Sequence, residues 1–311
     1  MFDFSLEPEY KSQPLQAIFG RSGNILLYGR TKVGKTIISR AIALLLSKEN
    51  LKFDQILFVH EPNITTDDLV FDSALAVLSG RPVIAIVPTG RVGGLLREIK
   101  TILNTAPVLP IIDSITGLAS LQLKYASSSE RENVKALLSK FNSLQIELGM
   151  TLESNRQLNL LPWIATAHQM STINNPYNPL VSDIHYKPRY ASEILHYVHR
   201  LVHVDYTPTK RKTQRLITIV EDRFRVEEVG RQYLLRFTTE KLDNVRIFYR
   251  RRVGKSFVKY ELLPEKTENE LKETVITARL PVIRKIEPYK KSKDENENEN
   301  KEENGSSEEE E

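Results

Sequence analysis

The run Gly29-Arg30-Thr31-Lys32-Val33-Gly34-Lys35-Thr36 carries the clearest chemistry in the chain. It fits the pattern G-x-x-x-x-G-K-[ST], in which each residue type has a physical task. Glycines let backbone N–H groups converge on phosphate oxygens, and a helix that begins where the loop ends adds the partial positive charge of its N-terminus. In such a loop Lys35 reaches the β- and γ-phosphates and the Thr36 hydroxyl ligates Mg²⁺, so ATP and Mg²⁺ are the expected ligands. The flanks agree. Asn24 to Tyr28 is a short apolar run, and Lys35 to Ser47 has helical apolar spacing at Ile37, Ile38, Ala41, Leu44 and Leu45.

A phosphate loop of this kind needs an acidic residue at the end of a buried strand to hold the magnesium shell. Asp113, which follows Val108-Leu109-Pro110-Ile111-Ile112, is the candidate, with Ser114 beside it to support the same shell. Hydrolysis also needs a group that positions or deprotonates water. Glu61 ends the second strand, so its carboxylate is expected over the same sheet edge as the loop. Gln169 closes the run Trp163-Ile164-Ala165-Thr166-Ala167-His168, where a neutral amide can sense a γ-phosphate; His168 is read as its packing neighbour rather than a base. Each carboxylate also has a plainer reading, as a helix-capping aspartate and as a solvated glutamate before Pro62.

Positioning these residues requires strands that alternate with helices. Ile56–Val59, Val83–Val87, Val108–Ile112 and Trp163–Ala167 read as further buried strands, with Asp67–Leu78 and Val92–Leu103 as helices between them. Ser129 followed by Glu132 reads as a capping box opening a long helix to about Asn155. Alternation of this kind implies an α/β fold, a mostly parallel twisted sheet with helices on both faces. Beyond residue 195 the runs Leu216–Val220, Tyr233–Phe237, Val245–Tyr249 and Ser256–Leu262 are joined by short turns, and are expected as antiparallel strands added at the C-terminal side. From about Lys290 the composition narrows to Glu, Asn, Lys and Ser, which cannot bury a core. The expected division is a lead at 1–13, an ATPase core at 14–240, a β extension at 241–289 and an acidic disordered tail at 290–311.

Taken together these segments resemble the RecA/RadA superfamily. "VLPIIDSITGL" is similar to the family's apolar strand ending in Asp-Ser, "FVHEP" to the strand ending in the catalytic glutamate, and "IATAHQ" to the strand ending in Asn-Gln or His-Gln. "PLQAIFGRSGNILLYG" resembles the lead into the phosphate loop, without its usual paired glycines, and the likeness spans roughly Pro14 to Phe237. It implies a RecA-like core and an Mg-dependent ATPase, weak and stimulated by DNA. "LITIVEDRFR" is similar to the family's Lys-x-Arg segment, whose cations reach the ATP of a neighbouring subunit in many relatives. Arg223 fits the arginine position, but Glu221 stands in place of the lysine. With only about twenty residues ahead of the first core strand, the chain looks like a core-only paralogue of archaeal RadA type, an accessory to DNA repair.

The stretch Ser171 to Tyr190 matches the place where recombinases of this superfamily carry a mobile DNA-binding loop. Its Tyr177, Tyr186, Lys187 and Arg189 combine rings that stack on bases with cations that pair with phosphates. Arg250, Arg251 and Arg252, with Lys255, form a second basic cluster. Net charge points the same way. Of the formal +4, the last eighteen residues carry −9, ten acids against one lysine, leaving a body of about +13 that suits a polyanion. There is no cysteine, so no disulfide or thiolate metal site can form. No stretch reaches the roughly 20 apolar residues of a membrane span, and Met1 to Gln13 lacks the apolar core of a secretory signal, so a cytoplasmic protein is expected. The expected partners are single-stranded DNA, a recombinase or other repair protein, and further copies of the chain. Two other classes stay open: a KaiC-like regulatory ATPase acting on proteins, and a non-hydrolysing DNA-binding mediator in which ATP is only a structural ligand.

Overall fold

A computed structural model describes residues 23–48, 52–173, 184–208, 211, 213–264 and 271–289. The tail from 290 and Tyr177 lie outside the described residues. Five strands run parallel at the centre: β1 (Ile25–Gly29), β2 (Gln55–Val59), β3 (Val83–Pro88), β4 (Val108–Ile112) and β5 (Ile164–Ile173), side by side as β3-β2-β4-β5-β1. Their apolar runs are unbroken because both faces are covered. Ile25 and Leu27, Ile56 and Phe58, and Leu109 and Ile111 enter one core, while Leu26 and Tyr28, Leu57 and Val59, and Val108 and Ile112 enter the other.

The first core is roofed by α1 (Lys35–Lys48) and α2 (Thr66–Ser79), the second by α3 (Val92–Leu103), α4 (Ile115–Lys124) and α6 (Val134–Asn159). The capping box lies two residues earlier than the sequence pattern suggests. Ser127 and Glu130 form it, and it opens only a short helix, α5 (Ser128–Glu132). The long helix α6 has its own cap, Asn133, whose side chain accepts from Ala136 N, and it continues to Asn159. Inside the first core Arg40 donates to Asp72 at 2.9 Å and lies over the Phe58 and Phe71 rings, and His60 meets the other oxygen of Asp72 at 2.5 Å. This buried network ties α1, α2 and the end of β2 together. Removing one partner would strand a buried charge at a cost of about 3–5 kcal/mol.

Antiparallel strands follow, as expected, in a more extended form. β7 (Arg200–Asp205) joins β1 in parallel and β8 (Gln214–Asp222) returns beside it. The two apolar runs at Tyr233–Phe237 and Val245–Tyr249 belong to one strand, β9 (Gln232–Val253), which passes without a break through residues 240 and 241. Its first half pairs with β8, and its second half pairs with β10 (Phe257–Leu263), which in turn pairs with β3. β11 (Lys272–Pro288) lines β9 along nearly its whole length. The strand pairings therefore close into a circuit, with α1 and α2 packed between the parallel sheet and the β9–β11 ribbon through Leu242, Ile247, Ile276, Val282 and Ile283. Among the described residues no helix is long and apolar enough to cross a membrane.

Candidate active site

The carboxyl ends of β1, β2, β4 and β5 lie along one edge of the sheet, where α/β folds bind ligands. Gly29 to Thr36 connects β1 to α1 at that edge. Gly29 cannot carry a side chain, because a Cβ there would lie 2.1 Å from the Val204 carbonyl oxygen of β7. Lys32 and Gly34 both take left-handed backbone, with φ of 64° and 99°. Lys35 is only 5 % exposed, and its Nζ donates to the carbonyls of Gly29 at 3.1 Å and Arg30 at 2.8 Å. Burial pulls its pKa down to about 8 against the opposing pull of Asp113 and Glu61.

Asp113 follows β4, buried, and accepts a short hydrogen bond from the Thr166 hydroxyl of β5. Ser114 is engaged with Glu61. Its hydroxyl caps α4 by accepting from Gly117 N at 3.0 Å and donates a short hydrogen bond to Glu61 Oε1. Gly117 makes room for this, since a Cβ there would come within 2.8 Å of Glu61 Cγ. His168 Nε2 stands 3.6 Å from the same carboxylate. Its pKa is lowered by burial first and by Lys35 second. Gln169 Oε1 accepts from His203 Nε2 at 2.9 Å. Beside Glu61 opens a cavity of about 300 Å³ that also reaches Gly117, Lys124, His168, Arg189 and Tyr190.

The residues expected at this edge are thus brought together, apart from Arg223. It follows the end of β8 that pairs with the start of β7, the opposite end of the sheet from the phosphate loop, and its guanidinium donates to the carbonyls of His196 and Leu195 at 3.1 and 3.2 Å. The stretch after Gln169 is a hairpin over its described part: β5 continues to Ile173 and pairs with β6 (Ile184–Pro188). Tyr186, Lys187 and Arg189 are exposed on its returning arm. The Tyr186 ring also stacks on His203 at 5.9 Å, and its carbonyl accepts from the Tyr28 hydroxyl at 3.1 Å. The arginine triplet does not form one patch, because strand alternation sends Arg251 to the face opposite Arg250 and Arg252. Arg251 lies over Tyr260 and Arg250 faces Glu261 at 4.0 Å.

Thr166 and His203 were not legible as site residues. Thr166 had a signal, a hydroxyl in an otherwise apolar buried strand, which must find a partner. His203 had none, since only the pairing of β7 with β1 brings it to Gln169.

No protein-family model matches the chain, and no curated protein matches it. Among solved structures the chain is similar to the RadB recombinase, at 17 % identity and a TM-score of 0.49, over 73 % of this chain and 94 % of that one. It is also similar to a KaiC-like protein from the hyperthermophilic archaeon Pyrococcus horikoshii OT3, at 19 % identity and a TM-score of 0.44, over 71 % and 89 %. The likeness carries nothing about activity. The site's chemistry rests on its own geometry.

That geometry fits a magnesium-bound nucleoside triphosphate. The buried Lys35, whose charged form burial disfavours, sits in the phosphate loop, and an anion there would favour its charge. Thr36 and Asp113 would supply two oxygens. Among the described residues no cluster of three or more His, Cys, Asp or Glu could hold a metal alone, so a magnesium here needs the phosphates as well. Lys35 predicts a pH dependence. The bound anion favours the charged lysine, and the free protein loses that charge above about pH 8. Affinity for MgATP should therefore fall as pH rises, by about tenfold between pH 7 and 9. Titrations across this range, with Lys35→Ala as a control that shows no such fall, check it.

Proposed function

We propose that this chain is an Mg²⁺-dependent ATPase that binds single-stranded DNA and assists recombinational repair in the cytoplasm. The observation that carries the ATPase reading is the convergence of Lys35, Glu61, Asp113 and Gln169 on one sheet edge around the phosphate loop. Residues Gly29, Arg30, Thr31, Lys32, Val33, Gly34, Lys35 and Thr36 would cradle the phosphates. Thr36 and Asp113 would hold magnesium, whose chemistry is to neutralise charge that builds on the phosphoryl oxygens. Glu61, steadied by Ser114, orients water and takes its proton. Lys35 balances charge on the transferring group. Arg223 can act on nucleotide only from a neighbouring copy, which makes a homo-oligomer part of the reading.

The DNA reading is supported by continuity. The strand that ends the site at Gln169 runs on into the hairpin that carries Tyr186, Lys187 and Arg189, so a strand of nucleic acid on the hairpin is one hydrogen-bonded ladder away from the nucleotide. Tyr177 belongs to the same stretch. Arg250 and Arg252 would add backbone contacts from a separate surface. Steady-state ATP turnover with and without single-stranded DNA tests the whole. Stimulation of severalfold is expected. Turnover indifferent to DNA would favour a regulatory ATPase directed at proteins, and DNA binding unchanged in Lys35→Ala with no turnover would favour a non-hydrolysing mediator.

A further inference from the structure

Phosphate binding by a loop depends on where its amides point. In a trans peptide the C=O and the N–H point to opposite sides of the chain, so fixing one fixes the other. The Lys32 carbonyl shares a peptide plane with the Val33 N–H, and the Val33 carbonyl with the Gly34 N–H. Both carbonyls are held from outside the loop. The Tyr206 hydroxyl, just past β7, donates to the Lys32 carbonyl at 2.9 Å. The Arg215 Nε, on β8, donates a short hydrogen bond to the Val33 carbonyl. The two holding side chains support each other, with the Arg215 guanidinium over the Tyr206 ring at 4.8 Å. A third tie, Asp205 to Arg30 at 3.8 Å, fixes the start of the loop to the same segment.

We propose that Tyr206 and Arg215 form a clamp that aims the Val33 and Gly34 amides at the phosphates. They are positioning residues and touch no nucleotide themselves. The need for them is visible in the loop, where Lys32 is a non-glycine residue in left-handed backbone, a conformation that persists only when its surroundings hold it. Arg215 adds a fixed positive charge behind the loop, and its side chain is kept in place by Tyr206 and by its own bond to the Gln214 carbonyl at 2.6 Å. Donors set in advance bind an anion without reorganising when it arrives. The β7–β8 hairpin thereby becomes part of the nucleotide site from behind the loop, through side chains that hold the loop's carbonyls. The inference rests on the nucleotide reading above.

Binding of a fluorescent ATP analogue with Mg²⁺ to the full chain tests it, alongside the melting temperature of the nucleotide-free protein. Tyr206→Phe keeps the ring under Arg215 and deletes only the hydroxyl; about fivefold weaker binding is expected. Arg215→Ala should weaken binding by about 10- to 100-fold, and Arg215→Lys should recover part of that loss by returning a cationic donor without the planar fork. Melting temperatures should stay within about 4 °C of the parent. Unchanged affinity in both Tyr206→Phe and Arg215→Ala would overturn the clamp while leaving the nucleotide site intact. A loss of affinity seen only with a larger fall in melting temperature would also overturn it. Failure of the parent chain to bind the analogue would remove the nucleotide reading and the clamp with it.

Discussion

Lys35→Ala is expected to reduce ATP turnover by about a thousandfold, with the fold intact, and Asp113→Asn to do nearly the same. The two side chains carry the opposed charges at the centre of the site. Lys35 is buried, and its depressed pKa of about 8 means that its charged form is held at a cost in the free protein. Alanine removes that cost together with two hydrogen bonds to loop carbonyls, so the melting temperature should change little while turnover collapses. Asparagine is the better replacement at 113, because its amide oxygen can still accept from the buried Thr166 hydroxyl. Alanine would leave that hydroxyl unpaired at a cost of about 1–3 kcal/mol and confuse loss of chemistry with loss of stability. Single-turnover hydrolysis with MgATP, read beside thermal unfolding, separates the two. Turnover in purified Lys35→Ala equal to the parent would remove the phosphate loop from the mechanism.

Glu61→Gln should separate binding from hydrolysis. The glutamine keeps an oxygen to accept from Ser114 and fits the space that Gly117 leaves, but it cannot take a proton. Hydrolysis should slow by about a hundredfold or more, the scale for losing a general base, with nucleotide affinity within a factor of about two. Gln169 and His168 stand nearby, but a neutral amide is no base, and the histidine is 3.6 Å from the carboxylate. Equal turnover in mutant and parent would return Glu61 to an ordinary strand-end glutamate.

What the sequence disclosed divides along physical lines. The parallel strands were legible because a strand buried on both faces writes an unbroken apolar run, as in Val108–Ile112 and Val83–Pro88. The phosphate loop was legible because its residue types act through local backbone geometry. β9 was read as two strands because its middle, Thr238 to Asn244, is mostly polar; what keeps it extended is pairing with β11, which no local pattern announces. β7, with Arg200 and His203 among its apolar residues, was missed for a related reason: Arg200 is buried against Asp222 at 2.7 Å, so its charge does not mark a surface. Within the site, positions were legible and partnerships were not. Ser114 meets Glu61 across 53 residues, and His203 meets Gln169 across 34, and only the assembled sheet brings them into contact.

The closed circuit of strands also governs how copies of this chain could join by sharing hydrogen-bonded backbone. An open parallel sheet would offer β3 as a template for a stranger's strand. Here β10 already occupies it, and β9 ties β10 back to β8. Among the described residues, β11 and β6 each pair with one strand only, and the middle of β9 pairs only with β11. β11 is poorly suited, since it is interrupted near Ala278 and Lys285 by register shifts that twist a strand away from flat pairing. β6, the arm that carries Tyr186 and Lys187, pairs only with β5 among the described residues, so a strand added there would take the same edge on which the proposed nucleic-acid contacts lie.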